Sequence, residues 1–236
     1  MTTEPSFTWC DLSTFRPQVT KAFYSRLFGW RFEGSDDYDY ALLGETQIAA
    51  LFEMPETMRQ IGMPSFWMSY VSVGNVARTV AKARELGARI ELEDPAYALI
   101  RDPLGAGFTV HGGLRPPAPS GHGTRAGHAY LCSDLLAIQP FYQALFGWTY
   151  RNVGGDTWQI ATATGDPVCF AYQQPDEIRG KEQYWAILFA VDDLDAAPDT
   201  AIAAGGTGCQ PVELYDRPAR LIYDPDGAAL FLVSLP

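Results

Sequence analysis

Basic residues are in short supply in this 236-residue chain: 17 Lys and Arg stand against 28 Asp and Glu, a formal net charge of −11. Such a surface repels phosphate backbones and anionic lipid, which argues against nucleic-acid and membrane partners. No apolar run approaches the length needed to span a bilayer. The opening Met1-Thr2-Thr3-Glu4-Pro5 lacks a basic region followed by an apolar stretch, so no secretory signal is expected. The four cysteines, Cys10, Cys132, Cys169 and Cys209, show no C-x-x-C spacing. They read as reduced cysteines in a cytoplasmic protein rather than as disulfides or zinc ligands. G-x-G-x-x-G, P-loop and G-x-S-x-G elements are all missing, which leaves nucleotide-binding and serine-hydrolase readings without support.

What the chain does have is one phrase written twice. Phe23-Tyr24-Ser25-Arg26-Leu27-Phe28-Gly29-Trp30 returns as Phe141-Tyr142-Gln143-Ala144-Leu145-Phe146-Gly147-Trp148, an offset of 141 − 23 = 118. Leu99-Ile100-Arg101-Asp102-Pro103-Leu104-Gly105 returns as Leu221-Ile222-Tyr223-Asp224-Pro225-Asp226-Gly227, an offset of 224 − 102 = 122. Within each half a fainter repeat marks helix ends: Gly29 and Gly87 lie 58 residues apart, as do Gly147 and Gly205. A repeat fixes architecture before any other signal. The chain divides into four units, each a strand, a helix stopped by Gly, then further strands.

The elements follow. Phe7–Leu12 alternates as a strand, and a helix near Gln18–Phe28 puts Val19, Ala22, Phe23 and Leu27 on one face. Tyr38–Leu43 and Ile48–Phe52 form a hairpin, and 55–64 is a connector. The second unit has a strand at Phe66–Val73, a helix over Val76–Leu86 with Val76, Val80 and Ala83 inward, and strands at Arg89–Leu92, Tyr97–Arg101 and Gly107–His111. Asp102-Pro103-Leu104-Gly105 has the residues of a tight turn. The Pro- and Gly-rich run 112–127 reads as an extended linker that packs no core. The second half repeats the plan, with helices near Ala137–Phe146 and Ala196–Ala204. The acidic Asp36-Asp37-Tyr38-Asp39 reads as a solvated loop. The expected domains are residues 1–112 and 127–236, joined by 113–126.

Paired strand–helix–three-strand units, with F-Y-x-x-x-F-G-W at the helix end and D-P-x-G before the last strand, resemble the vicinal oxygen chelate superfamily of glyoxalases, bleomycin resistance proteins and extradiol dioxygenases. The resemblance covers nearly all of the chain and is nearest to a two-domain, glyoxalase/hydroxylase-like branch. It implies an α+β fold of four βαβββ units, paired into two domains with curled mixed sheets that form cups. It also implies a divalent metal held by four ligands from first and last strands. The matching positions here are Trp9, Ala50, Met68 and Thr109 in the first domain, and His128, Phe170, Ala186 and Phe231 in the second. Only His128 among these is a credible ligand, so the expectation is no metal and no other cofactor.

Side chains two apart on a strand share a face, so the first cup is expected to gather Trp9, Asp11, Phe52, Met68, Tyr70, Thr109 and His111. The second gathers His128, Tyr130, Phe170, Tyr172, Ala186, Leu188, Phe231 and Val233. Asp11 and His111 can form an acid–base pair; the plainer alternative is that Asp11 accepts from backbone amides or a Tyr hydroxyl and His111 is exposed. His128 is either a base or a satisfied structural histidine. Trp30 and Trp148 read as packing anchors, whereas Trp9 and Trp158, without partners in the repeat, are candidates for ligand contact. Three functions stay open. The first is metal-free binding of a small apolar or aromatic molecule. The second is a lyase, isomerase or dioxygenase-like enzyme using Asp11, His111 or His128, with an unorthodox metal site if any. The third is a protein-contact scaffold. A monomer or weak homodimer is expected, because four units can complete both cups alone.

Overall fold

A computed structural model describes residues 4–35, 38–113, 119–175, 177 and 183–235. Asp36 and Asp37 of the acidic run and residues 114–118 of the linker lie outside it. In the first quarter β1 (Ser6–Thr14) leads to α1 (Pro17–Phe28) and then β2 (Arg31–Ser35), β3 (Tyr38–Leu43) and β4 (Thr46–Glu53). Pro17 starts α1, where its missing N–H costs nothing, and Gly29 ends it in the left-handed region at φ 72°. The buried stripe of α1 is Thr20, Phe23, Tyr24, Leu27 and Phe28. Val19, placed inward by its spacing, is 45% exposed. The stripe is rotated by one residue because Tyr24, with its hydroxyl bonded, goes inside.

Within the connector Glu56–Gln60 forms a short helix, α2. The second quarter holds β5 (Phe66–Ser72), α3 (Val76–Glu85), β6 (Arg89–Glu93), β7 (Tyr97–Arg101) and β8 (Gly107–His111). Asn75 caps α3 by accepting from the Arg78 N–H, and Val76, Val80 and Ala83 are buried as the spacing requires. The third quarter runs β9 (Arg125–Cys132), α4 (Leu135–Phe146), β10 (Thr149–Gly154), β11 (Thr157–Ala161) and β12 (Pro167–Gln173). The fourth runs β13 (Tyr184–Val191), α5 (Ala197–Ala203), β14 (Thr207–Leu214), β15 (Arg217–Tyr223) and β16 (Ala229–Ser234).

The strands form two eight-stranded mixed sheets, ordered β2-β3-β4-β1-β5-β8-β7-β6 and β10-β11-β12-β9-β13-β16-β15-β14. The same order appears twice, as the duplicated sequence demands. None of the described helices is long and apolar enough to cross a membrane.

Compactness divides the chain differently from sequence. A terminal unit comprises Cys10–Met68, Ala118–Ala126 and Ile187–Pro236; a central unit comprises Met1–Trp9, Ser69–Pro117 and Gly127–Ala186. Each has its own core. That of the terminal unit joins Phe23, Tyr24, Phe28, Trp30 and Trp67 to Phe189, Leu230 and Leu232. That of the central unit joins Val80, Ile100, Phe108 and Val110 to Tyr130, Tyr142, Trp148 and Trp185. The linker contributes to the first: Gly123 accepts from the Trp30 indole N–H at 2.8 Å, and His122 lies against Phe28 with its ring 3.0 Å from the Leu27 carbonyl. Glycine lets that backbone come close enough, which the expectation of a free linker overlooked. Cys10, Cys132 and Cys169 are buried free thiols, and Cys209 is an exposed one.

Candidate functional site

Along the strands one set of alternate residues packs into the helix-covered cores, and the other set faces away from them. In the terminal unit β1 runs parallel to β4 with Asp11 opposite Ala50 and Ser13 opposite Phe52. The antiparallel β3 sets Tyr40 opposite Ala50 and Tyr38 opposite Phe52. Opposed residues project to one side, so Asp11, Ser13, Tyr38, Tyr40, Ala50 and Phe52 share a face. Their neighbours Cys10, Leu12, Ala41, Ala49 and Leu51 turn into the α1-packed core. Asp11 is buried at 5% exposure, and the Tyr38 hydroxyl donates to it, 3.1 Å from each carboxylate oxygen. Tyr38 meets Tyr40 edge-on at 5.3 Å, and Phe52 is 37% exposed.

In the central unit Tyr70 lies opposite Thr109, and His111 lies opposite Ser72 on one side and Tyr97 on the other. Phe108 and Val110, which alternate with Thr109 and His111 along β8, enter the core. His111 Nε2 is 2.7 Å from Thr8 Oγ1, and its ring meets Tyr70 edge-on at 6.1 Å. Asp11 and His111 thus fall in different compact units. Trp9, Met68 and Thr109 are buried, and Trp158 packs partly buried against the central core.

His128 and Tyr130 are not placed as expected. Tyr130 is a core residue: its hydroxyl donates to Asp102 at 2.6 Å and its ring lies 4.4 Å from Trp185. Burial, and then the Asp102 charge, push its phenol far up, so it stays protonated. His128 is stacked 4.0 Å from Phe7, which itself leans on Trp148 and Trp185. The reason is register. At the helix offset of 118, His128 matches Cys10 and Tyr130 matches Leu12, both core-facing. Pairing His128 with Trp9 slips the frame by one residue, and one residue reverses the face. The open face of β9 carries Ala129 opposite Phe170 and Leu131 opposite Tyr172. Beyond it, Leu188 lies opposite Phe231 and Ala190 opposite Val233.

A divalent metal needs three or four nitrogen, oxygen or thiolate donors converging on one point. The first- and last-strand pairs supply Asp11 with Ala50, Tyr70 with Thr109, Ala129 with Phe170 and Leu188 with Phe231. That donor set does not fit. Among the described residues no three His, Cys, Asp or Glu side chains cluster as a metal would require. Tyr38 and Tyr40, absent from the predicted site, could have been found from the alternation of β3 against Phe52.

Comparison with known proteins agrees with the duplicated plan. Residues 6–110 match the family model for the glyoxalase/bleomycin resistance protein/dioxygenase superfamily, and residues 128–233 match that for a glyoxalase-like domain. CFP32 of Mycobacterium tuberculosis, provisionally named a glyoxylase, is 29% identical over 97% of this chain and 94% of its own. The anthracycline biosynthesis protein DnrV of Streptomyces peucetius is 25% identical over 96% of this chain and 92% of its own. Among solved structures, the Mn(II)-bound glyoxalase from Novosphingobium aromaticivorans superposes with a TM-score of 0.66 at 13% identity, over 99% of this chain and 83% of that one. The dioxygenase LapB from Pseudomonas sp. KL28 gives 0.63 at 11% identity, over 97% and 91%.

Proposed function

Because the chain belongs to the glyoxalase/bleomycin resistance protein/dioxygenase superfamily, we propose that it binds a small apolar or aromatic molecule without the divalent metal of its metal-dependent relatives. The observation that carries this reading is the exchange of donors for hydrocarbon at the strand positions facing away from the helices, Ala50, Ala129, Phe170, Leu188 and Phe231. Aromatic surface is kept beside Ala50 in Tyr38, Tyr40 and Phe52, and aromatic walls with few polar groups suit a small molecule. The relative named for anthracycline biosynthesis adds support for an aromatic ligand.

Metal analysis of purified protein, combined with thermal denaturation, tests the reading. Dialysis against a chelator is expected to leave both metal content and melting temperature unchanged, while aromatic compounds raise the melting temperature. A stoichiometric Mn, Fe, Ni or Zn that survives dialysis, or whose removal lowers the melting temperature, overturns it. Failure of every compound in an aromatic panel to stabilise the protein does the same.

A further inference from the structure

We propose, resting on the binding reading above, that Gln174 is the group by which the second sheet selects aromatic molecules carrying a neutral hydrogen-bond donor, such as a phenolic hydroxyl. Gln174 follows directly on β12 and prolongs its pairing with β9, its N–H donating to the Cys132 carbonyl at 2.8 Å. Along β12 Cys169 and Ala171 enter the central core. The Gln173 side chain keeps to that helix side, where its Oε1 accepts from the Leu135 N–H at 2.8 Å and its amide nitrogen donates to the Ser133 carbonyl. Alternation therefore sets Gln174 with Phe170 and Tyr172, on the face turned away from the helices.

Gln174 is 4% exposed, and its Oε1 has no hydrogen-bond partner among the described residues. The amides around it are satisfied: Gln173 as above, and Gln183 by accepting from Ser133 Oγ at 3.0 Å. A buried amide oxygen left without a donor costs about 1–3 kcal/mol. The duplicated chain shows that the scaffold does not require one. Met54 follows β4 as Gln174 follows β12, donates its N–H to the Thr14 carbonyl at 2.8 Å, and is buried too. An amide thus stands where the first half has a thioether, and a hydrogen bond from an incoming donor is what it can gain there. The rest of the face suits a ring. Its rows are Ala129, Phe170 and Gln159, then Leu131, Tyr172 and Thr157. All but Ala129 are part-exposed, so this face is not sealed. None of the six is charged, and Arg151, beyond Gln159 on β10, is bonded to it. A charged donor would lose its hydration here without a counter-charge, whereas a neutral one needs only the amide.

The test uses the whole protein and two probes, naphthol and methylnaphthalene substituted at the same ring position, titrated by calorimetry. The ratio of their affinities is expected to fall roughly ten-fold from wild type to Gln174→Met, through loss of naphthol binding alone. Without ligand, Gln174→Met is expected to melt about 2–4 °C higher, since it removes an orphaned amide. A ratio unchanged by the substitution overturns the assignment to Gln174, as does wild-type binding of methylnaphthalene but not naphthol; both leave the binding reading standing. A variant that melts lower or fails to fold shows that the amide is already bonded within the protein, and overturns the inference without any ligand. Binding of neither probe to the wild type removes the binding reading and this inference with it.

Discussion

The Tyr24 hydroxyl donates to Asp224 at 3.2 Å across 200 residues of sequence, and accepts in turn from the Trp67 indole N–H at 3.0 Å. The repeat makes the same chain: Tyr142 donates to Asp102 at 2.8 Å and accepts from Trp185 at 3.0 Å. In both cases the Tyr of one sequence half serves the Asp-Pro turn of the other. Each Asp also fixes its own turn, since Asp102 accepts from the N–H groups of Leu104, Gly105 and Ala106, and Asp224 from those of Asp226 and Ala228. Burial, followed by the carboxylate's charge, pushes both phenols far up, which keeps them protonated donors.

Tyr24→Phe and Tyr142→Phe are therefore expected to destabilise by about 1–3 kcal/mol each, since each strands a buried indole N–H and removes a donor from a buried carboxylate. Urea unfolding measures the loss. Tyr142→Phe should cost less at its carboxylate, because Asp102 keeps the Tyr130 hydroxyl. The two networks share no partner, so the double variant should lose the sum.

Asp226 stands where the first half has Leu104, and it has become a latch. It accepts from Thr14 Oγ1, the Phe15 N–H and Arg16 Nε, each at 2.7 Å, and from Ser65 Oγ. Burial pushes its carboxyl up, but the bonds from Ser65, Arg16, Thr14 and Phe15 outweigh this and hold it at about 2. An unfolded Asp titrates near 3.9. The folded value is depressed, so the stabilisation is full above about pH 4 and is lost as pH falls towards 2. Asp224 has the opposite sign: burial raises it, and its contribution fades as pH rises through the folded value. Asp226→Asn should cost about 1–2 kcal/mol at neutral pH, once solvent screening is allowed for, and little at pH 2. Stability measured against pH for both proteins checks the window.

Gly206 and Gly123 are among the glycines at which a side chain would clash. A Cβ at Gly206 would stand 2.8 Å from the Phe23 ring and 3.0 Å from the Ala201 carbonyl. At Gly123 it would stand 2.8 Å from Phe28 Cβ, on a backbone with φ of 74°. Gly206→Ala and Gly123→Ala should each cost about 1–3 kcal/mol through overpacking, with Gly123→Ala the worse because the left-handed backbone adds strain. Thermal unfolding orders them. For Gly123→Ala, limited proteolysis near residue 123 should quicken as the Trp30 contact is lost.

Most of the fold was legible because its signals are local. Gly29 and Gly147 announce helix ends, alternation announces strands, and the double phrase announces that one plan is used twice. Which residues turn away from the helix-packed core was legible for β4, β5, β8, β12, β13 and β16. It failed on β9, where two tempting residues, His128 and Tyr130, share the core face and polarity suggested otherwise. The α1 stripe failed for a related reason: a Tyr with a distant partner counts as apolar only once that partner is known. No pattern within one half names the carboxylate that its Tyr will meet in the other.

That crosswise pairing yields the most direct prediction. Each compact unit is assembled from both sequence halves, with Phe28 and Trp30 packing on Phe189 from the second half in one, and Phe108 packing on Tyr142 and Phe146 in the other. A chain cut between residues 113 and 119 should therefore give two pieces, neither of which completes a core alone. Each piece by itself is expected to be unfolded or self-associated, because the buried aromatic surface would face water at about 25 cal/mol per Å². Mixed, the pieces should form a stoichiometric complex with native tryptophan fluorescence, since every buried contact is restored and only the linker's covalent bond is missing. Tyr24→Phe in one piece should weaken that complex, and so should Asp224→Asn in the other. Made together, the two substitutions should cost less than their sum, because either alone already breaks the shared bond. Independent folding of each piece into a stable monomer, with no association on mixing, would mean that sequence halves and not quarters carry the cores.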